Sequence, residues 1–246
     1  MSGHSKWATI KRKKGAADAK RGAIFTKIIK EIMVSARNGS SIEGNAALRM
    51  AVLKAKAANM PKDNIDRAIK KGAGEMEGQE FVELGYEAYA PGGVALLIET
   101  LTDNKNRTAA DVRMILTKGN GQLATAGAVS RLFDRKGSIV IDGEKANEDK
   151  VMEAALDAGA EDIVAEDGAI EVTTAPNDFE AVLAALERAG IPTESAEVGL
   201  IPQSRVTPDK ETAEKVQTLI DRLEENDDVQ NVYHNLDTSI LDGDEE

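Results

Sequence analysis

The first 21 residues of the chain combine clustered cationic side chains with one indole. Seven of these residues are Lys or Arg, and only Asp18 is acidic. Such a cluster attracts phosphates because binding releases their condensed counterions, and an exposed indole can stack on an unpaired base. A solubilising arm or a targeting tag is the alternative interpretation. The candidate polyanion-binding residues of this segment are His4, Lys6, Trp7, Lys11, Arg12, Lys13, Lys14, Lys20 and Arg21.

The basic character continues into the region that follows. Residues 1–74 hold 17 Lys+Arg and 5 Asp+Glu, a net charge of +12, whereas residues 75–246 hold 14 and 38, a net charge of −24. This asymmetry is typical of a basic module that meets polyanions, attached to an acidic body. The ordinary solvated face of a helical bundle would also be rich in lysine. The cations that we add to the candidate surface are Lys27, Lys54, Lys56, Lys70 and Lys71.

The stretch TDNKNRT (102–108) separates a predicted strand from a predicted helix. Free N–H groups at a helix N-terminus can hold an anion, so Lys105, Arg107 and Arg113 make a possible anion cleft there. A loop with good helix caps is the alternative. The T-x-x-D spacing of Thr108 and Asp111 predicts a capped helix that begins at Thr108.

Enzymatic and metal chemistry have little support in the sequence. The chain has no cysteine, and its two histidines, His4 and His234, lie near opposite ends. Neither a thiolate site nor a Ser-His-Asp arrangement can be argued from these residues. The paired carboxylates, such as Asp227-Asp228, fall on predicted turns and helix ends, which favours solvated surface. We therefore predict no catalytic residue, no metal and no cofactor.

Membrane association is not expected either. No apolar run approaches the roughly 18–20 residues that span a bilayer. The basic N-terminus lacks the apolar stretch of a secretory signal.

Hydrophobic periodicity predicts three amphipathic helices over about 19–37, 45–59 and 61–72. Asn45 is the expected cap of the second helix, and Pro61 opens the third. We expect a flexible basic arm at 1–18 and a helical bundle at 19–79. The cations predicted on the polar face of the first helix are Lys20, Lys27, Lys30 and Arg37.

Beyond residue 80 the pattern changes to strands. LGYEAYAPGGVALLIETLT reads as a hairpin joined at Pro91-Gly92-Gly93, and GNGQLATAG (119–127) as a flexible connection. Residues 138–201 show the β-α-β-β-α-β order of a ferredoxin-like domain, with a hairpin turned at Asp167-Gly168. The final helix and strand, about 208–236, are too little to fold alone.

We therefore predict an α+β protein, in which an N-terminal three-helix bundle is followed by two α/β (ferredoxin-like) domains. A discontinuous middle domain comprises 80–130 plus 206–240, and an inserted ferredoxin-like domain comprises 131–205. The terminal DGDEE is expected to be a solvated tail.

Four segments together resemble the YebC family: SGHSKWATIKRKKGAADAKRGAIFTKIIKEIMVSARNG, ANMPKDNIDRAIKKG, TDNKNRTAADVR and GLIP (199–202). The resemblance covers essentially the whole chain. It implies a three-domain cytoplasmic protein without catalysis that acts on nucleic acid. Bacterial members are commonly labelled DNA-binding transcriptional regulators, and mitochondrial relatives are described as translational activators.

The leading hypothesis is thus a nucleic-acid-binding regulator. DNA is the target by resemblance, whereas structured RNA, including a ribosome, fits the arm equally well because an arm can follow irregular phosphates. The acidic domains could offer a surface to a protein partner. An enzyme with a cleft near Lys105–Arg113 and a pure protein scaffold are the other possibilities.

Overall fold

The computed structural model describes residues 17–166 and 168–242, and the predictions for 1–16, Asp167 and the C-terminal tail lie outside them. The described residues form two compact units, one of residues 17–129 and 214–234, the other of residues 130–213 and 235–242. The fold class is confirmed as mixed helix and sheet, with N-terminal helices followed by two antiparallel sheets. The domain limits expected from the sequence stay a prediction.

The first unit opens with three helices, α1 (Ala17–Ala36), α2 (Ala46–Ala57) and α3 (Lys62–Gly72). Their apolar faces share one core, and α1 packs against both α2 and α3. Asn45 caps α2 by accepting a hydrogen bond from Leu48 N, as predicted. A side chain at Gly72 would collide with the backbone of Met33, so glycine permits the close approach of α3 to α1.

The predicted hairpin is confirmed as β1 (Val82–Tyr89) and β2 (Ala95–Thr102). Gly92 and Gly93 of its turn adopt φ of 75° and 78°, which side chains disfavour. Next come α4 (Lys105–Lys118) and the short β3 (Gln122–Leu123), which pairs with β1.

The second unit contains β4 (Phe133–Asp142), α5 (Glu148–Asp157), β5 (Ala160–Glu166), β6 (Ala169–Thr174), α6 (Phe179–Arg188) and β7 (Ser195–Pro202). This is the predicted β-α-β-β-α-β order. The strands form an antiparallel sheet in the order β5-β6-β4-β7. Helices α5 and α6 pack against each other, and their buried residues include Val151 and Phe179.

The chain then returns through α7 (Lys210–Glu224), of which residues 214–224 belong to the first unit, to β8 (Val229–His234). Strand β8 pairs with β2 and completes the first sheet, in the order β3-β1-β2-β8. The last strand therefore joins the sheet of the earlier β-β-α segment, as expected from the sequence. A short α8 (Ser239–Asp242) ends the described chain.

Candidate nucleic-acid interface

The structure separates the candidate residues into three groups. His4, Lys6, Trp7, Lys11, Arg12, Lys13 and Lys14 lie outside the described residues. Lys20 and Arg21 belong to the first turns of α1. The remaining candidates of the bundle can be sorted by what their charged groups contact.

Three cations of helix α1 contact other segments of their own unit. Lys27 Nζ donates to the carbonyl of Glu224, and Arg37 donates to the carbonyl of Phe81 at 2.7 Å. Lys30 is only 8% exposed. Lys30 is on the predicted polar face of α1, and that face is covered at this residue by groups of β2 and the segment before β8, which supply its hydrogen-bond acceptors.

Lys30 meets Asp228, which lies just before β8. The Nζ–Oδ1 distance is 2.9 Å, and Nζ also donates to the carbonyl of Asp227 at 2.8 Å. The second carboxylate oxygen of Asp228 accepts from Arg107 at 2.8 Å, Thr108 at 2.9 Å and Thr102 at 3.2 Å. We call these five side chains, Lys30, Thr102, Arg107, Thr108 and Asp228, the Asp228 network.

The Asp228 network holds its carboxylate in the charged state. Burial alone would raise the pKa of Asp228, but hydrogen bonds from Arg107, Lys30 and Thr108 outweigh burial and lower the pKa to about 2. Asp228 is 5% exposed. The expectation that the Asp227-Asp228 pair is solvated surface was therefore wrong for Asp228.

Helix α2 shows a mixed pattern. Lys54 pairs with Glu31 of α1 at 2.8 Å, and both side chains are about one-third exposed. Arg49 donates to the carbonyls of Ile42 and Glu43. Lys56 is exposed, and its side chain has no hydrogen bond or ion pair within the described part of the chain.

Helix α3 carries the cations that make the fewest contacts. Lys62, Arg67 and Lys70 are exposed and Lys71 is half-buried. Among the described residues, none of these four side chains has a hydrogen-bonding or ion-pairing partner. Two acids, Asp63 and Asp66, lie on the same helix.

A groove of about 770 Å³ runs beside α1 and α3. Lys71 lines it together with the apolar side chains of Ile29, Met33 and Phe81. One cation of α3 therefore borders a recess as well as solvent.

The possible anion cleft is occupied by the protein's own charges. Helix α4 begins at Lys105, with Asn104 as its N-cap, so the predicted start and cap at Thr108 were wrong. The hydroxyl of Thr108 instead donates to Asp228. Arg107 pairs with both Asp103 and Asp228 at 2.8 Å.

A cleft of about 460 Å³ does lie at this place. Its lining includes Arg107 and Lys30 but also four aspartates, whereas Lys105 and Arg113 are exposed and do not line it. Its net charge does not favour an anion. The aspartates that line it are Asp103, Asp111, Asp227 and Asp228.

Sequence reasoning missed Asp228 as the centre of this region. Three of its partners lie at the end of β2 and the start of α4 and one, Lys30, lies on α1, whereas Asp228 precedes β8. The signal was available in the antiparallel pairing of β2 with the final strand, because that pairing brings the start of β8 to the end of β2.

The segment 119–129 is more ordered than predicted. Glu87 of β1 accepts hydrogen bonds from the backbone N–H groups of Gly127, at 2.8 Å, and Val129. Residues Gln122–Leu123 pair with β1. The expected flexible connection is therefore a loop held by a carboxylate.

The second unit uses lysines internally in at least two places. Lys136 pairs with Glu161 at 2.7 Å, and Lys145 pairs with Glu194 at 2.7 Å. Residues 130–213 contain 19 Asp+Glu and 8 Lys+Arg. The charge balance of this segment repels polyanions.

Within the described ranges, no group of histidines and carboxylates is arranged to hold a metal ion. No helix in the same part of the chain has the length and apolar character needed to cross a bilayer.

Two family models match the chain, one for the TACO1/YebC protein N-terminal domain at residues 5–75 and one for the TACO1/YebC second and third domain at residues 81–236. The chain belongs to the TACO1/YebC family. The resemblance drawn from the sequence is thereby confirmed.

Relatives of the TACO1/YebC family match at high identity over nearly the whole chain. A protein of Treponema denticola is 58% identical over 96% of this chain and 96% of its own length, and one of Leptospira biflexa is 57% identical over 96% and 97%. Both are named probable transcriptional regulatory protein. A crystal structure of a conserved hypothetical protein, Aq1575 from Aquifex aeolicus, matches with a TM-score of 0.81 and 46% identity, covering 89% of this chain and 91% of that one.

Proposed function

We propose that this TACO1/YebC protein is a cytoplasmic, non-enzymatic regulator of gene expression that binds nucleic acid through its basic N-terminal end. The observation that carries the proposal is the distribution of cations without partners. Lys56, Lys62, Arg67 and Lys70 are exposed and uncommitted, in the same chain segment as the basic residues 1–21. Cations that no protein group neutralises are the ones that can displace counterions from phosphates.

A DNA-binding transcriptional regulator is the form of this proposal that the names of the relatives favour. Those names refer to transcription, and duplex DNA is a dense polyanion that the basic end would attract. The acidic second unit would stay away from the same polyanion, so the N-terminal end would dock first.

A ribosome- or RNA-associated translation factor is the alternative, and one feature of α3 favours it. Asp63 and Asp66 interleave with Lys62, Arg67 and Lys70 along this helix. Carboxylates so placed would be repelled by the phosphates that flank a DNA groove. The cations then suit contact with an irregular phosphate surface better than groove insertion, and Trp7 could stack on a splayed base.

The proposal includes protein partners that would bind the acidic domains. An enzymatic function receives less support. The cleft near Lys105–Arg113 has four aspartates in its lining, and its one arginine is paired. A phosphorylated or carboxylated substrate would meet repulsion there.

The deciding experiment is a salt titration with full-length protein, comparing ribosomes and structured RNA with duplex DNA of equal length. Binding to each should weaken as salt rises, in proportion to the phosphates contacted. RNA or ribosome binding that persists near ~0.15 M salt, where DNA binding is lost, would establish the translation alternative. A single DNA sequence that outcompetes bulk DNA and RNA by about a hundredfold would establish transcription regulation.

Charge reversal at Lys11, Arg12, Lys13 and Lys14 tests the arm itself. We expect nucleic-acid association to be abolished while the circular dichroism spectrum and thermal midpoint stay the same. The control variant reverses four exposed cations elsewhere, namely Lys118, Arg135, Lys150 and Arg188. Equal loss in both variants would show only a net-charge effect, and unaltered binding would remove the arm from the proposal.

A further inference from the structure

The helical bundle contacts the segments of the first sheet through both apolar and polar side chains. In the core cluster of the bundle, Phe81 is the one described member that comes from beyond α3. Polar contacts from Lys27, Lys30 and Arg37 of α1 also join the bundle to the rest of the first unit.

Most of those contacts reach backbone carbonyls, which substitution cannot remove. The side-chain exception is Asp228, whose carboxylate joins Lys30 of α1 to Arg107 and Thr108 of α4. One residue before β8 thus connects the first helix of the bundle to the helix that follows β2. Removing one partner of a buried, hydrogen-bonded ion pair leaves the other charge uncompensated.

We propose that Asp228 is a positioning residue, which fixes the helical bundle on the first sheet. It thereby sets how the basic surface of α2 and α3, formed by Lys56, Lys62, Arg67 and Lys70, is presented to a polyanion. The second half of this inference rests on the proposed function. The first half stands on geometry alone. Asp228 itself is 5% exposed, so its proposed role involves no contact with the polyanion.

The experiment compares Asp228→Asn with Asp227→Asn in the full-length protein. Asp227 is the adjacent residue and is exposed, and it is the backbone carbonyl of Asp227 that Lys30 contacts. Both variants lose the same charge at neighbouring positions, but only Asp228→Asn breaks the network.

Hydrogen exchange measured by mass spectrometry is the first readout. In Asp228→Asn we expect exchange in α1 and around Phe81 to rise at least about tenfold, with α5 and α6 of the second unit unchanged, because local opening is governed by local contacts. Asp227→Asn should match the wild type. Unchanged exchange in α1 of Asp228→Asn would overturn the proposal.

Binding to a structured RNA and to duplex DNA in ~0.05 M salt is the second readout, since the electrostatic affinity for phosphates is high at low salt. We expect Asp228→Asn to weaken binding about threefold to tenfold, the range of a modest coupling between sites. Faster exchange with unchanged affinity would overturn the functional half. If wild-type protein binds neither polymer, the proposed function fails, while the exchange result still decides the positioning role.

A second substitution covers the case in which Asp228→Asn does not fold. Lys30→Gln removes the α1 side of the pair and leaves Asp228 bonded to Arg107 and Thr108. The proposal requires faster exchange in α1 here too, whereas exchange equal to wild type would contradict it.

Discussion

Helices α1 and α3 of one bundle both carry cations, yet the two helices use them in opposite ways. Lys30 of α1 is buried and bonded to Asp228, whereas Lys70 of α3 is exposed and its ammonium group has no partner among the described residues. The two lysines are equivalent in a charge count. A basic segment thus contains structural cations, which are bonded within the protein, and available cations, which are exposed and unpaired. Only the available cations support a binding surface.

The largest expected difference is in stability. Lys30→Met should lower the free energy of unfolding by about 2–4 kcal/mol, because it leaves a buried carboxylate with fewer donors. Lys70→Met should change it by less than about 0.5 kcal/mol, as surface substitutions usually do. Urea denaturation measures both. Similar values for the two variants would remove the distinction between the helices.

The next effect concerns pH. The pKa of Asp228 is about 2 in the folded protein and near 3.8 unfolded. A depressed carboxyl pKa adds stability that is complete above the unfolded pKa and is lost as pH falls through the folded pKa. The wild type should therefore lose about 2 kcal/mol relative to Asp228→Asn between pH 5 and pH 2. Denaturation of both proteins across this range checks it, and parallel curves would contradict it.

The exposed cations of α3 are expected to affect nucleic-acid binding. The double variant Lys70→Glu/Lys71→Glu should weaken nucleic-acid binding about tenfold and reduce the salt slope by about 1.5–2 on duplex DNA, because two phosphate contacts are lost. Lys118→Glu/Lys150→Glu is the control, since both residues are exposed and lie outside the bundle. An unchanged slope in the Lys70/Lys71 variant would take α3 out of the interface.

The smallest effect is expected at Lys54, which lies between the two extremes. Its pair with Glu31 is about one-third exposed, so Lys54→Ala should cost no more than about 0.5 kcal/mol of stability. A double-mutant cycle with Glu31→Ala measures the pair directly. A coupling energy of about 2 kcal/mol or more would place Lys54 with Lys30 as a structural cation.

Local signals in the sequence were enough for much of the fold. Periodicity predicted α1, α2 and α3, and Asn45 and the Pro91-Gly92-Gly93 turn were assigned correctly. These features depend on residues within a few positions of one another, which is the distance over which caps, turns and helical faces are determined.

The site could be predicted less completely, because its decisive contacts are distant in sequence. Lys30 and Asp228 are 198 positions apart, and helical periodicity places Lys30 on a polar face without indicating what covers that face. Thr108 shows the same limitation locally. Its spacing to Asp111 is that of a cap, but Asn104 caps the helix and Thr108 bonds to Asp228.

The late position of β8 has a consequence for synthesis. Strands β4–β7 separate β3 from β8 in the chain, so Asp228 leaves the ribosome long after α1, β2 and α4. Domains begin to fold during synthesis, at about 5–20 residues per second, so α1 spends about 10–40 seconds without its final partner. A chain that stops before residue 228 therefore carries its basic helices without the contact that orients them, and only a nearly complete protein presents the bundle in its final position.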